Sequence, residues 1–247
     1  NCGCVVPHNR KTGEWTAAVN MNFGSALEYA LNQGASLMTG KKMGLDEKPA
    51  AEMTSFEEVK AAFYRQFDNL CRHSVILTVE AQRLHREMVP RPFLSSCNEH
   101  CLETGRDLSH GGAQYNIGPV ITGIGLAVVA NSLAAIQKLV FEEHRCDMAT
   151  LAKALQANWN GYEELRTAAK AAPKYGNDDD HVDGIAREVA NHFYDEIHQY
   201  HDIFGSPFLT AFMGISNYIP MGRVLGATPD GRCAGEPSSE GVSPYVG

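Results

Sequence analysis

Apolar residues recur at helical spacing from Ser55 onward. Phe56, Val59, Phe63, Phe67, Leu70, Leu77, Leu84 and Met88 return to one face every three, four or seven positions until Pro90 breaks the pattern. The spacing predicts one long, largely buried helix. Ahead of it, Ser25 and Glu28 have the capping-box spacing in which a hydroxyl and a carboxylate satisfy each other's helix-start amides, predicting a short helix to about Asn32, stopped by Gly34. Residues 117–129 alternate Gly with Val and Ile, which favours a strand or tight loop. Asn131 then reads as the cap of a helix through about Glu143. Further helices are predicted over 148–158, 162–171 and 179–203, the last carrying Ile185, Val189, Phe193 and Ile197. From Gly214 the chain is rich in Gly, Pro and Ser and reads as loops with short strands. Helices dominate, yet the glycine-rich apolar segments imply strands packed between them, so the pattern is that of an α/β domain.

Composition narrows the function classes. With 247 residues, 44% of them hydrophobic and 20% charged, the chain can bury a substantial core, which excludes disordered and collagen-like classes. A net charge of -8, with no basic run longer than Lys41-Lys42, offers no face for a phosphate backbone and argues against nucleic acid as a partner. The longest apolar stretch, residues 117–130, is interrupted by Gly118, Pro119, Gly123 and Gly125 and is too short to span a bilayer. Seven cysteines, an odd number scattered over a chain too long to need disulfide staples, fit a reducing cytoplasm. Asn1-Cys2-Gly3-Cys4 carries neither a starting Met nor a signal pattern, and Ser243 to Gly247 is turn-like. The expectation is a piece of a longer protein, residues 1–247 forming one partial catalytic domain.

Three segments carry a family resemblance. They are Gly3-Cys4-Val5-Val6-Pro7; Pro173-Lys174-Tyr175-Gly176-Asn177-Asp178-Asp179-Asp180 with Val182-Asp183; and Gly226-Ala227-Thr228-Pro229-Asp230-Gly231-Arg232, continuing to Glu236-Pro237, Gly241 and Ser243-Pro244. Alone, each reads blandly: the first as a short cysteine motif, the second as a solvated helix start. In this order and at these separations they resemble the glycyl radical enzymes, which include pyruvate formate-lyase, glycerol and choline lyases, arylacetate decarboxylases and benzylsuccinate synthase. The resemblance implies a helix-rich part of a ten-stranded α/β barrel made of two antiparallel five-stranded halves, beginning at the cysteine loop and ending before the loop that holds the radical glycine. It also implies a radical SAM activating enzyme as partner, with small accessory subunits and a homo-oligomer as further candidates. The glycyl radical would sit on a glycine outside this chain, with no organic cofactor or metal bound here, and the chain by itself is expected to be inactive. Gly222-Arg223-Val224-Leu225-Gly226 superficially matches an Arg-Val glycine motif, but it precedes the Thr-Pro-Asp-Gly segment, whereas the radical glycine of the family follows it.

By motif match Cys4 is the thiol that relays the radical to substrate, since a thiol loses and regains a hydrogen atom reversibly. Cys2 is its close competitor, otherwise a buried small hydrophobe. A zinc site using Cys2 and Cys4 has the wrong spacing. Cys97 and Cys101, with His100 and His110 close by, have loose ligand spacing, although a helical i, i+4 placement equally suits packing. Val6 stands where dehydratases, choline-type lyases and many decarboxylases of the resembled family place a Glu to move a proton. Adding a hydrocarbon radical to fumarate needs hydrogen-atom transfer and no acid or base. The run Cys4-Val5-Val6-Pro7-His8-Asn9-Arg10-Lys11 accordingly resembles the alkylsuccinate synthases more than benzylsuccinate synthase. Fumarate would then bind at Arg10 or Lys11, Arg being favoured for its bidentate fork. The hydrocarbon would lie against Val120 and Ile121, with Ile117 and Ile124 nearby. As ordinary loop charges and core residues these positions need no substrate. Asp230 and Arg232 are expected to hold the turn of their motif. A lyase or decarboxylase with its base elsewhere, and a cysteine-based metal-binding module, are the alternatives.

Overall fold

Residues 10–14 and 18–246 are described by the computed structural model. The first half of the chain forms β1 (Thr12–Glu14), β2 (Val19–Asn22), α1 (Phe23–Leu31), α2 (Phe56–Met88), α3 (Pro92–Ser96), α4 (Glu99–Thr104), β3 (Tyr115–Ile117) and β4 (Val120–Ile124). The second half adds α5 (Leu126–Ile136), running on into a π-helical turn over Gln137–Glu142, then α6 (Met148–Gln156), α7 (Glu163–Ala171), α8 (Asp180–His198), β5 (Leu209–Ala211) and α9 (Tyr218–Arg223). Strand β1 pairs in parallel with β3, Thr12 opposite Tyr115. A second sheet has the order β2-β4-β5, with Val120 of β4 opposite Leu209 of parallel β5. The fold is helix-rich α/β.

Two compact units share these elements: Asn1–Asn20, Cys71–Thr122 and Tyr194–Ala211 make the first, and Met21–Leu70, Gly123–Phe193 and Phe212–Gly247 the second. Aromatic edges organise the second. The Phe23 ring meets Phe67 at 4.8 Å, Phe193 at 5.0 Å and Phe212 at 5.9 Å in T-shaped contacts, the geometry that ring quadrupoles favour. Gly123 is bare because a Cβ there would come within 2.5 Å of the Phe23 ring. In the first unit a buried polar pair does comparable work. Gln82 Nε2 of α2 donates to Asp202 Oδ2 at 2.9 Å, while Asp202 Oδ1 accepts from Phe204 N and Ser206 N, each at 2.9 Å, fixing the turn ahead of β5.

Several elements depart from the periodicity. The short helix starts at Phe23, two residues before Ser25, and Asn22 caps it without a side-chain bond. Ser25 and Glu28 therefore form no capping box. Helix α5 starts at Leu126 behind Gly125, whose φ of 95° needs a glycine, so Asn131 lies in mid-helix and caps nothing. The tail carries α9, which tolerates Pro220 because a proline lacks only an amide that the first turn leaves unused. Helix α2 ends within two residues of its predicted stop, but its burial changes along its length. Val59, Phe63 and Phe67 are fully buried, whereas Leu77, Leu84 and Met88 are 63%, 54% and 73% exposed. In the later half the buried row is Cys71, Val75, Thr78 and Gln82. Spacing shows that a stripe exists, and tertiary context chooses which stripe is covered.

Candidate functional site

The cysteine loop, with Cys2, Cys4 and Val6, lies outside the described residues. Its continuation is described. Arg10 is exposed in the left-handed region at φ 63°, and its carbonyl accepts from Glu99 N at 3.0 Å. Lys11 is exposed too, and its carbonyl accepts from Tyr115 N at 3.0 Å. Backbone pairing thus anchors the chain leaving the loop to α4 and β3. Of the proposed hydrocarbon contacts, Val120 is half-buried, Ile121 and Ile124 are wholly buried, and Ile117 is 38% exposed. Cys97 ends α3 and Cys101 sits inside α4, so they do not share one helix as their spacing suggested. Among the described residues no three His, Cys, Asp or Glu side chains are placed to hold a metal, and no helix is long and apolar enough to cross a membrane.

The second and third motifs converge within the second unit. Tyr175 N donates to Asn131 Oδ1 at 2.7 Å, which explains a fully buried Asn in the middle of α5. Gly176, at φ 78°, packs its bare α-carbon on Pro244, and its amide donates to Asp183 Oδ1 at 2.8 Å. Tyr175 Oη donates to Val242 O at 2.9 Å, and Asn177 Nδ2 to Val246 O at 3.5 Å. The acidic run begins α8, where Asp179 Oδ1 accepts from His181 N at 3.1 Å and Val182 N at 3.3 Å. From the other side Tyr245 Oη donates to Asp230, which also accepts from Thr228 Oγ1 at 2.6 Å. The second motif and, some fifty residues on, Asp230 are two jaws of one clamp on residues 242–246.

Arg232 is the hub beneath that clamp. It is 4% exposed, and its guanidinium donates to Gly226 O at 2.6 Å, Gly222 O at 2.9 Å, Leu225 O at 3.2 Å and Pro237 O at 3.3 Å. Burial pushes its pKa down, and Asp230 opposes that shift. With these carbonyls taken up, Asp230 and Arg232 hold their turn, as their motif suggested. Gly222 and Gly226 are also locked into this network through their carbonyls. Lys174 is buried against Ala169 O and Ala172 O, both at 2.8 Å, and burial lowers its pKa against the pull of Asp230. An open cleft of about 660 Å³ runs along these groups, lined by Lys174, Tyr218, Asp230, Arg232, Ser238 and Tyr245 among others.

Glu28 was misread from sequence. Its carboxylate clips two loops, accepting from Leu37 N at 2.6 Å and Gly226 N at 2.8 Å. Burial raises its pKa, offset in part by those two amides. Nothing in local spacing could have identified a partner 198 positions away.

A family model described as pyruvate formate lyase-like matches residues 1–222. The trans-4-hydroxy-L-proline dehydratase of Clostridioides difficile is 34% identical over 92% of this chain and 29% of its own length. The isethionate sulfite-lyase of Bilophila wadsworthia is 32% identical over 99% of this chain and 30% of its own. Among solved structures, the glycerol-bound B12-independent glycerol dehydratase from Clostridium butyricum superposes with a TM-score of 0.90 at 35% identity, covering 98% of this chain and 30% of that one. The chain therefore spans about 30% of the length of the relatives it matches.

Proposed function

The chain belongs to the pyruvate formate lyase-like family of glycyl radical enzymes, and on that premise we propose that the protein containing it uses Cys4 to add an n-alkane to fumarate. The observation that carries this reading is Val6, two residues after Cys4. Valine can neither give nor take a proton, so chemistry that depends on a base at this position is closed to the protein. Radical addition needs no such base. The Cys4 thiyl radical takes a hydrogen atom from a subterminal C–H bond, leaving an alkyl radical and an intact thiol. The alkyl radical adds to the fumarate double bond, and the adduct radical takes the hydrogen atom back from the Cys4 thiol, giving a (1-methylalkyl)succinate and restoring the thiyl. Every atom of both substrates is kept. Arg10 or Lys11 would meet a fumarate carboxylate, and Val120 and Ile121 would border the hydrocarbon. The radical would be stored on a glycine elsewhere in the polypeptide, installed by a radical SAM activating enzyme in a reducing cytoplasm.

The activated full-length protein, given fumarate and a perdeuterated n-alkane, should form an adduct that retains the abstracted deuterium, read by mass spectrometry. A glycyl radical signal without any adduct would refute fumarate addition. A second reading, a dehydratase or lyase with its base elsewhere in the chain, is favoured by relatives whose names describe dehydration and sulfite release. Turnover of a diol, a hydroxyproline or a sulfonate instead of the alkane would establish it.

A further inference from the structure

Two helices begin beside one another in the second unit. Helix α1 starts directly after β2 and α5 directly after β4, and the β2 and β4 strands are neighbours in one sheet. The first amides of a helix have no partner inside it, and the helix dipole makes that end electropositive. A Cβ built on Gly125, the N-cap of α5, would lie 2.9 Å from Ser238 Oγ, 3.6 Å from Gly24 N and 3.8 Å from Asn22 Oδ1. The Gly125 α-carbon is therefore faced by one hydroxyl, one amide of α1 and one side-chain carbonyl.

Both side-chain oxygens are buried without a protein partner. Ser238 is 2% exposed and Asn22 is 9% exposed, and neither Ser238 Oγ nor Asn22 Oδ1 has a hydrogen bond. Asn22 cannot turn its amide around at no cost, because Nδ2 already donates to Met221 O at 3.1 Å. Ser238 is tethered by its own amide, which donates to Tyr218 O at 3.1 Å, and the next residue, Ser239, accepts from Gly125 N through its carbonyl at 3.1 Å. The oxygens are thus held in place by bonds made elsewhere. Buried oxygens left unsatisfied are costly, and native proteins pair them with ordered water where the chemistry allows it.

We propose that one internal water molecule sits over Gly125, accepting from the Gly24 amide, donating to Asn22 Oδ1 and bonding Ser238 Oγ. Water is the ligand that satisfies all three groups, since it accepts from the amide and donates to the carbonyl. An anion would suit the two helix ends but would face the Asn22 carbonyl, and the guanidinium of Arg232 is already taken up by carbonyls. The water ties the start of α1, the start of α5 and the segment around Ser238 into one joint. Glycine at position 125 serves twice, adopting φ 95° and sparing Ser238 Oγ a Cβ that would come within 2.9 Å of it.

The test is a crystal structure of the full-length protein at a resolution that defines ordered solvent, together with hydrogen exchange of the peptide covering the first turn of α1. A single uncharged solvent peak roughly 2.7–3.2 Å from Ser238 Oγ, Asn22 Oδ1 and Gly24 N is expected. In Ser238→Ala the peak should weaken and exchange in that peptide should speed up about fivefold, the equivalent of one net hydrogen bond. No peak, a bromide signal at this position after a halide soak, or unchanged exchange in Ser238→Ala would each overturn the proposal.

Discussion

Replacing Arg232 with Met should be among the most damaging single changes outside the apolar core. The substitution keeps most of the side-chain volume and removes a guanidinium that serves four carbonyls at 2.6–3.3 Å. Each charged hydrogen bond contributes about 1.5–3 kcal/mol on its own, but the four share one desolvated group, so their sum overstates the loss. A firmer bound comes from what remains. Carbonyls buried around the guanidinium, Gly226 O foremost, would lose their donor, and a buried acceptor left unsatisfied costs about 1–3 kcal/mol, while Asp230 keeps its bonds from Thr228 and Tyr245. For a chain of this size, about 3 kcal/mol lowers the melting temperature by roughly 6–12 °C. Thermal unfolding followed by circular dichroism measures it, with Arg232→Lys alongside. Lysine keeps the charge but cannot fork across the carbonyls of Gly222 and Gly226, so it should recover only part of the loss. A methionine variant melting within a few degrees of the parent would refute the reasoning, and full recovery by lysine would show that charge alone matters.

Other outcomes follow from the same geometry. In the full-length protein Cys4→Ser should leave the glycyl radical visible by electron paramagnetic resonance while abolishing turnover, and Cys2→Ser should retain most activity; the reverse pattern would move the relay to Cys2. Gly176→Ala should lower stability by about 1–3 kcal/mol, since the residue is held at φ 78° with Pro244 against its α-carbon, and chemical denaturation reads the change. Asp107 supplies a pH signature: burial pushes its pKa up, but the Ser109 hydroxyl and amide, the Arg91 amide and the Ser95 hydroxyl outweigh it and hold the carboxyl at about 2. A depressed carboxylate stabilises the fold above its ordinary value of 3.8 and loses that contribution as pH falls through about 2. The gap in melting temperature between the parent and Asp107→Ala should therefore be widest near neutrality and close progressively in acid; a gap that stays constant would refute it.

Long elements were legible because their signal is local. The row Val59, Phe63, Phe67 marks α2, and Ile185, Val189, Phe193, Ile197 marks α8, whatever surrounds them. Starts were misread where one residue type serves two purposes. Glu28 has the spacing of a cap but spends its oxygens on Leu37 and Gly226, and Asn131 has the chemistry of a cap but holds Tyr175 from mid-helix. The reading of the cysteine loop rests on motif alone and stays a sequence statement, because Cys4 and Val6 lie outside the described residues. The motif order pointed to the right family, yet it could not show that Tyr175 and Asp230 grip the same short segment. That fact lives in contacts between positions about seventy apart.

The later half of α2 has a practical consequence. Leu77, Leu84 and Met88, followed by Phe93 at 85% and Leu102 at 66% exposure, leave greasy side chains uncovered through much of the first unit. Exposed apolar surface of that kind drives self-association when nothing covers it. Handled on its own, this polypeptide should behave as a sticky solute: prone to inclusion bodies on overproduction, retained by hydrophobic chromatography, and brightening a dye such as anilinonaphthalene sulfonate while fully folded. Dye binding would then be a poor sign of misfolding here, and charged replacements at Leu77, Leu84 and Phe93 are the place to begin when soluble material is wanted.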